Sequence, residues 1–330
     1  MADVVHRING HVATREWMHQ FATDPSGFMT KVVESQDTDN QELVEPARVV
    51  EDEDAVQEDE TRPDYPFHAF DKLDEVLHLQ DRHPSAVYDI VEIGAGQGKL
   101  TKALKRVLPG GTRFAAVEPN NDRRTEFRHF MSDVPVFDGT ASATTLPNES
   151  VGNIAIGHAF HCMAKANALD EFHRILVPNG RLGIMLNTGD FNSCPFMQDV
   201  ERVVKSFNAA YVPSQPNHDQ LQQIFHDRPH LFSPMQSQRI DTVFSASVDG
   251  IVDYLMSTCV MANLSHRRQT DVRLSIARLI EMNPDVTEDE HGEHKLELPC
   301  LVELHWVQKA QALQDTPAQH HPDDVVMQSC

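Results

Sequence analysis

The sequence predicts an α/β fold: a doubly wound, mainly parallel sheet of seven strands with a helical cap. Three observations carry this. The run Val87–Ile93 has the β-branched, apolar content of a buried strand, then breaks into glycines at 94, 96 and 98. From Lys99 onward Leu100, Ala103, Leu104, Val107 and Leu108 recur at helical spacing. Further short apolar runs then alternate with helical patterns as far as Val307. Strand, glycine turn and helix open a nucleotide-binding unit, in which backbone N–H groups and a helix N-terminus approach a ligand.

The turn narrows the ligand. A dinucleotide fingerprint needs G-x-G-x-x-G, but here the third glycine comes one residue early, in Gly94-Ala95-Gly96-Gln97-Gly98. The P-loop pattern is absent. Glu92 stands two residues before the first glycine; a carboxylate there repels a pyrophosphate and attracts an ammonium.

These residues, Glu92 through Thr101, resemble motif I of class I S-adenosylmethionine (SAM) methyltransferases. The resemblance implies a Rossmann-like methyltransferase fold with SAM as cofactor. Glu92 would then lie near the methionine amino group, and Gly94, Ala95, Gly96 and Gly98 under the cofactor. Arg62-Pro-Asp-Tyr-Pro66 is similar to an element that precedes the first helix in that family and borders the cofactor site.

The remaining elements follow in order. A helix is expected over Phe70–Leu79, then a second strand over Thr112–Val117 that ends at Glu118-Pro119-Asn120. An acid at the end of a second strand can accept hydrogen bonds from both ribose hydroxyls, and Glu118 lies 24 residues after Gly94. A helix over Asp122–Phe130 follows, with Arg123 and Arg124 assigned to its solvent face. The third strand, Val134–Phe137, leads to Asp138-Gly139-Thr140-Ala141-Ser142, which resembles the family's adenine-contacting segment except that Ser142 replaces its usual glutamate. The fourth strand, Val151–Ile156, ends at Gly157-His158-Ala-Phe-His161-Cys162, similar to the family's Ala-Phe-His-Trp and placed by the fold at the transferable methyl group. A helix over Ala166–Leu176 runs into the turn Val177-Pro-Asn179-Gly-Arg181, where Asn179 suits a positive φ. The fifth strand is expected over Arg181–Leu186.

From Phe191 onward helices are expected over 196–207, 218–225, 248–264 and 268–282, with strands over Arg239–Phe244 and Lys295–Val307. In the resembled family the last two strands finish the sheet, one of them antiparallel. The segment between them is similar to the substrate region of type 11 small-molecule methyltransferases of the trans-aconitate kind, with Ser257 and Asn263-Leu264 at matching places.

The chain therefore divides into an N-terminal extension (1–62), a SAM-binding core (63–190), a helical cap region with one core strand (191–285), a final strand (286–309) and a tail expected to be disordered (310–330). Within the extension, Asp37–Glu60 reads as a solvated acidic loop or a docking segment for a basic partner, and Trp17, Phe21 and Phe28 as core or as a cover for the site.

Composition bounds the function. The net charge is −22, from 28 basic and 50 acidic residues, which argues against nucleic acid and anionic membrane surfaces; the resemblance implies a small-molecule acceptor. No apolar run is long enough to span a bilayer, and no signal core opens the chain. Five scattered cysteines (162, 194, 259, 300, 330) without a C-x-x-C suggest reduced thiols in a cytoplasmic protein, with no zinc site.

Methyl transfer from a sulfonium is an in-line displacement that needs alignment and a dry site but no obligatory protein nucleophile. His158 and His161 are the candidate bases or substrate partners, each set against a local packing role. Cys162 reads as packed, the His291/His294 and His320/His321 pairs as solvated, and Arg267-Arg268 as a helix start that could otherwise meet an anionic substrate. Oxygen acceptors, carboxylate or hydroxyl, are favoured by the resemblance. Nitrogen or sulfur acceptors, a SAM-binding regulator and a nicotinamide oxidoreductase are the alternatives.

Overall fold

The computed structural model describes residues 7–8, 11–12, 63–158, 160–163, 165–190, 193, 195–207, 218–256, 264–288 and 291–311. The N-terminal aromatics, the acidic Asp37–Glu60 segment, Ser257, Asn263 and the tail from 312 lie outside these residues, as do the side chains of His161 and Cys162. An isolated antiparallel pair, Arg7–Ile8 with His11–Val12, precedes the sheet in the chain.

The main sheet is built from β1 (Tyr88–Ile93), β2 (Phe114–Val117), β3 (Val136–Phe137), β4 (Val151–Ile156), β5 (Leu176–Gly189), β6 (Gln236–Ser247), β7 (Thr287–Glu288) and β8 (His294–Gln308). Their order is β3-β2-β1-β4-β5-β8-β6, with β7 paired to β8. The first five are parallel; β8 runs antiparallel to both its neighbours. The seven expected strands form the path, and the eighth is a two-residue addition. Its partner residues are His294 and Lys295, across a hairpin that contains Gly292 at φ 79°. A stretch as polar as Thr287–Lys295 carries no apolar alternation by which it could be read as a strand.

The helices are α1 (Phe67–Leu77), α2 (Lys99–Val107), α3 (Asn121–Phe130), α4 (Phe160–Met163), α5 (Ala166–Ile175), α6 (Pro195–Phe207), α7 (His218–His226), α8 (Val248–Met256) and α9 (His266–Glu281). They cover both faces, and the strands show it with a period of two. Val91, Ile93, Ala115, Val117, Ile154, Ile156, Leu182, Ile184 and Leu186 pack against Phe160, Phe172 and Phe225 from α4, α5 and α7. The intervening Ile90, Ala116, Ala155 and Met185 pack against Phe70, Leu73, Leu77, Leu100, Leu104 and Phe127 from α1, α2 and α3. A third cluster joins α6, α8 and α9 through Met197, Val200, Ile251, Leu255, Val272 and Ile276 to Leu296, Leu298 and Cys300 of β8. Burial there pushes the Cys300 thiol up to about 12.

The first helix starts and ends earlier than expected, at Phe67–Leu77, the second and third strands begin two residues later, and two strands run well past their expected ends. β5 begins before the Val177–Gly180 turn: Leu176 pairs with Val151, Asn179 takes φ 65°, and Arg181 resumes the ladder opposite Asn153. β6 is twice as long as the apolar run predicts, because its ladder with β8 continues through Gln236, Ser237 and Gln238 at one end and Ser245, Ala246 and Ser247 at the other, mostly polar residues without a run of large apolar side chains.

One buried network positions a loop near the sheet's carboxyl edge. Glu171 of α5 accepts hydrogen bonds from the Thr144 backbone N–H at 2.7 Å and from the Thr144 hydroxyl, and Arg174 Nε meets its other oxygen at 2.7 Å. Arg174 also donates to the Leu146 carbonyl at 2.8 Å. The loop 138–146 is thereby tied to α5, and it holds Thr145 at φ 65°, a conformation a β-branched residue resists. Burial raises the Glu171 carboxyl, but Arg174 and Thr144 overcome it and bring it down to about 2.

A folded-state value below the ordinary 4.5 means this carboxylate stabilises the fold above that pH and loses its contribution as pH falls from about 4.5 to about 2. Glu171→Gln is expected to cost stability near neutrality, by at most about 3 kcal/mol, and to flatten the acid limb of a denaturation series. Phe172→Ala, which removes a fully buried ring, is expected to lower the unfolding free energy by about 3–5 kcal/mol in urea titrations, against less than about 0.5 kcal/mol for the exposed Val243→Thr.

Candidate active site

The glycine turn is shaped by three positive φ angles, 73° at Gly94, 56° at Gly96 and 98° at Gly98. The Gly94 and Ala95 N–H groups donate to the Val117 carbonyl at 2.8 and 3.2 Å, which staples the turn to the end of β2. Gly98 opens α2, and a Cβ there would also stand 3.1 Å from Met131 and 3.2 Å from Phe127. Gln97 reaches across to Glu126 of α3 at 2.6 Å.

Glu118 sits at the end of β2, 3% exposed. One carboxylate oxygen accepts from the Gly96 N–H at 2.8 Å and the other from the Asn120 N–H at 2.9 Å. Asn120 in turn caps α3, accepting from the N–H groups of Asp122 and Arg123, while Pro119 between them is exposed. Arg124 is not on the solvent face. Its guanidinium turns inward, donates to the Glu118 carbonyl at 2.8 Å and pairs with Asp138 at 3.1 Å. The correction has a physical cause: the carbonyls at the end of β2 and the carboxylate opening the 138–146 loop converge on that side of α3.

Glu92 is buried beneath the turn, on the α2 side, and accepts a hydrogen bond from Thr101 in the first turn of α2. Gly139 lies so close to the Thr144 carbonyl that a Cβ would sit 2.8 Å from it. Thr140 and Ala143 exchange reciprocal backbone bonds of 3.1 Å, with Ala141 half-buried at the tip beside the exposed Ser142.

The end of β4 carries Gly157 and His158. A Cβ on Gly157 would meet the Tyr65 hydroxyl at 3.0 Å. Tyr65 donates to the Met185 carbonyl at 3.4 Å, and its ring lies 6.0 Å from that of His158. The segment before α1 is thus laid across the strand ends; Asp64 also pairs with Lys99 of the turn at 3.6 Å. His158 Nε2 accepts from the Asn187 backbone N–H at 3.3 Å. His161 is placed only by its backbone, in α4.

The structure therefore gathers Glu92, the glycine turn, Glu118, Asn120, Gly157 and His158 along the carboxyl edge of β1, β2 and β4, with the 139–141 loop following β3. Arg267 and Arg268 are exposed at the start of α9. No cluster of metal-ligating side chains occurs among the described residues, the His291/His294 pair included. No helix among them is long and apolar enough to cross a membrane. Arg124 and Asn187 were missed by the sequence reading. Asn187 carried one weak signal, as the first polar residue after the apolar run of β5.

Residues 91–184 match the family model described as a methyltransferase domain. An uncharacterised methyltransferase of Schizosaccharomyces pombe is 31% identical over 144 residues, covering 44% of this chain and 54% of the relative. One from Mycobacterium tuberculosis is 33% identical over 129 residues, covering 39% of this chain and 48% of the relative. The chain spans about half the length of the curated relatives it matches. The solved structure of a candidate type II methyltransferase from Anaeromyxobacter dehalogenans aligns with 75% of this chain and 97% of its own, at a TM-score of 0.54 and 21% identity, a likeness of fold. With the strand order, the glycine turn and the family match in agreement, the chain carries over residues 91–184 a class I methyltransferase domain, the kind that takes S-adenosylmethionine as its cofactor.

Proposed function

We propose that the protein transfers a methyl group from SAM to a small-molecule acceptor, with an oxygen, carboxylate or hydroxyl, as the favoured receiving atom. The observation that carries this reading is the bond between the Gly96 N–H and the buried Glu118 carboxylate. It sets a backbone cradle and an acid side by side, as a nucleoside with a charged amino-acid end requires.

The residues fit that cofactor. Each Glu118 oxygen spends one acceptor site on the backbone and keeps capacity for the ribose hydroxyls. Gly94, Ala95, Gly96 and Gly98 bring the main chain close under the methionine part, with Glu92 as the nearby negative charge. Pro119 and Asn120 would border the ribose, and Gly139, Thr140 and Ala141 would surround the adenine. Gly157 leaves the space that a side chain would take from Tyr65. When bound, SAM supplies an electrophilic methyl on a sulfonium. The chain's part is to align the acceptor and exclude water.

His158 bears on the acceptor. A backbone N–H only donates, so the bond from Asn187 requires an unprotonated Nε2, and the neutral ring then carries its proton on Nδ1. Taking a proton at Nε2 would break that bond. His158 is therefore poorly placed to act as a base through Nε2, and this supports an acceptor already ionised at neutral pH, such as a carboxylate. His161 remains the second candidate. The net charge of −22 supports a small acceptor over nucleic acid, and five scattered cysteines without a C-x-x-C support action in the cytoplasm.

Calorimetry with S-adenosylhomocysteine and with NAD tests the reading. S-adenosylhomocysteine is expected to bind and NAD is not; the reverse would make the protein an oxidoreductase. Glu118→Ala is expected to weaken S-adenosylhomocysteine binding by about 1–3 kcal/mol, and unchanged affinity would remove Glu118 from the ribose site.

A further inference from the structure

Asn187 stands at the carboxyl end of β5, one strand beyond β4 from the glycine turn, and is 1% exposed. Its side-chain Nδ2 donates to two successive carbonyls, Pro63 and Asp64, both at 3.2 Å. Carbonyls only accept, so these bonds fix which end of the carboxamide is nitrogen. Its backbone N–H is committed to His158. The carboxamide oxygen, Oδ1, is left buried and without a hydrogen-bond partner among the described residues. An unmet buried acceptor is destabilising, so a residue kept in this state needs a donor that arrives from elsewhere.

The surroundings narrow the source of that donor. Asn187 lies where the ends of β4 and β5 meet the 63–65 segment, beside His158 and beneath the strap that Tyr65 belongs to. Asn153 provides a contrast. It too has a buried, unpartnered oxygen, but it sits against His83 in the first half of β4, away from the carboxyl edge.

We propose that Asn187 is a ligand-binding residue whose Oδ1 accepts a hydrogen bond from an N–H or O–H group of a molecule bound over the carboxyl edge. This rests on the methyltransferase reading. Two sources share the chemistry: the ammonium of the cofactor's methionine part, or a hydroxyl or amine on the acceptor. Either way Asn187 selects for a hydrogen-bond donor at that point.

Crystals of the full chain, without ligand and with S-adenosylhomocysteine, test this, together with calorimetry of wild type and Asn187→Ala. If the cofactor is the source, Oδ1 lies within hydrogen-bond distance of the S-adenosylhomocysteine ammonium. Asn187→Ala then weakens that compound about tenfold and leaves its desamino analogue unaffected. If the acceptor is the source, S-adenosylhomocysteine binds both proteins equally and Oδ1 faces the open space beyond the sulfur. The proposal is overturned if, in the crystals, Oδ1 is met by a protein donor or by an enclosed water that touches no ligand. Asn187→Ala also releases Pro63 and Asp64; should it fail to fold, the wild-type crystals decide alone. Failure of S-adenosylhomocysteine to bind sinks the methyltransferase reading instead, and the ligand-free crystal still judges Asn187 by whether Oδ1 opens to the crevice or is closed off.

Discussion

The site depends on one buried carboxylate. Taking an ionised acid such as Glu118 out of water costs several kcal/mol unless hydrogen bonds replace the lost hydration. The Gly96 and Asn120 N–H groups do so, one from the turn after β1 and the other from the approach to α3. The carboxylate thus joins two strand ends that the sheet ladder no longer pairs. Arg124 extends the joint: it takes the Glu118 carbonyl on one side and Asp138 on the other, so the loop after β3 is drawn into the same frame. Three consecutive parallel strands end in loops that are held to one another before any ligand arrives, which removes part of the ordering cost of binding.

A second set of contacts does for β4 and β5 what Glu118 does for β1 to β3. The 63–65 segment reaches across the strand ends and is held by Asn187, by the Tyr65 hydroxyl on Met185 and by Lys99 on Asp64. Gly157 has no room for a side chain under that strap. The two frames differ in what they leave over. Glu118 keeps acceptor capacity at a position where hydroxyls are expected; Asn187 keeps an oxygen with no donor among the described residues.

How much of this was legible in the sequence follows from which interactions are local. The strand, glycine turn and α2 are coded by composition and period within the single stretch Tyr88–Val107, and Glu118 follows from its distance along the βαβ unit. Arg124 was misread because a charged residue in a polar helix looks solvated, and its partners are main-chain carbonyls, which every residue carries. Asn187 was passed over for the same reason: its partners, Pro63 and Asp64, are more than 120 residues away and contribute only backbone oxygens. The Val177–Gly180 turn was read correctly through Asn179, but pairing on both sides of it extends β5, and pairing is not a property of one segment. β7 is set by a hairpin and β8's free edge, not by any pattern of its own.

The antiparallel turn of β8 has a functional consequence. Because it runs against β5, its opening residues lie at the carboxyl edge: Cys300 stands opposite Gly189, while Gln308 stands opposite Arg181 at the far end. The cluster of α6, α8 and α9 packs on that opening stretch, through Leu296, Leu298 and Cys300. These helices are therefore built onto the sheet at its carboxyl edge, beyond β5, and they share a core with the opening of β8. On the proposed reading, substitutions within that core reshape the acceptor side while the Glu118 frame, across β4 and β5, keeps the cofactor, which is the arrangement a fold needs if it is to vary the molecule that receives the methyl group.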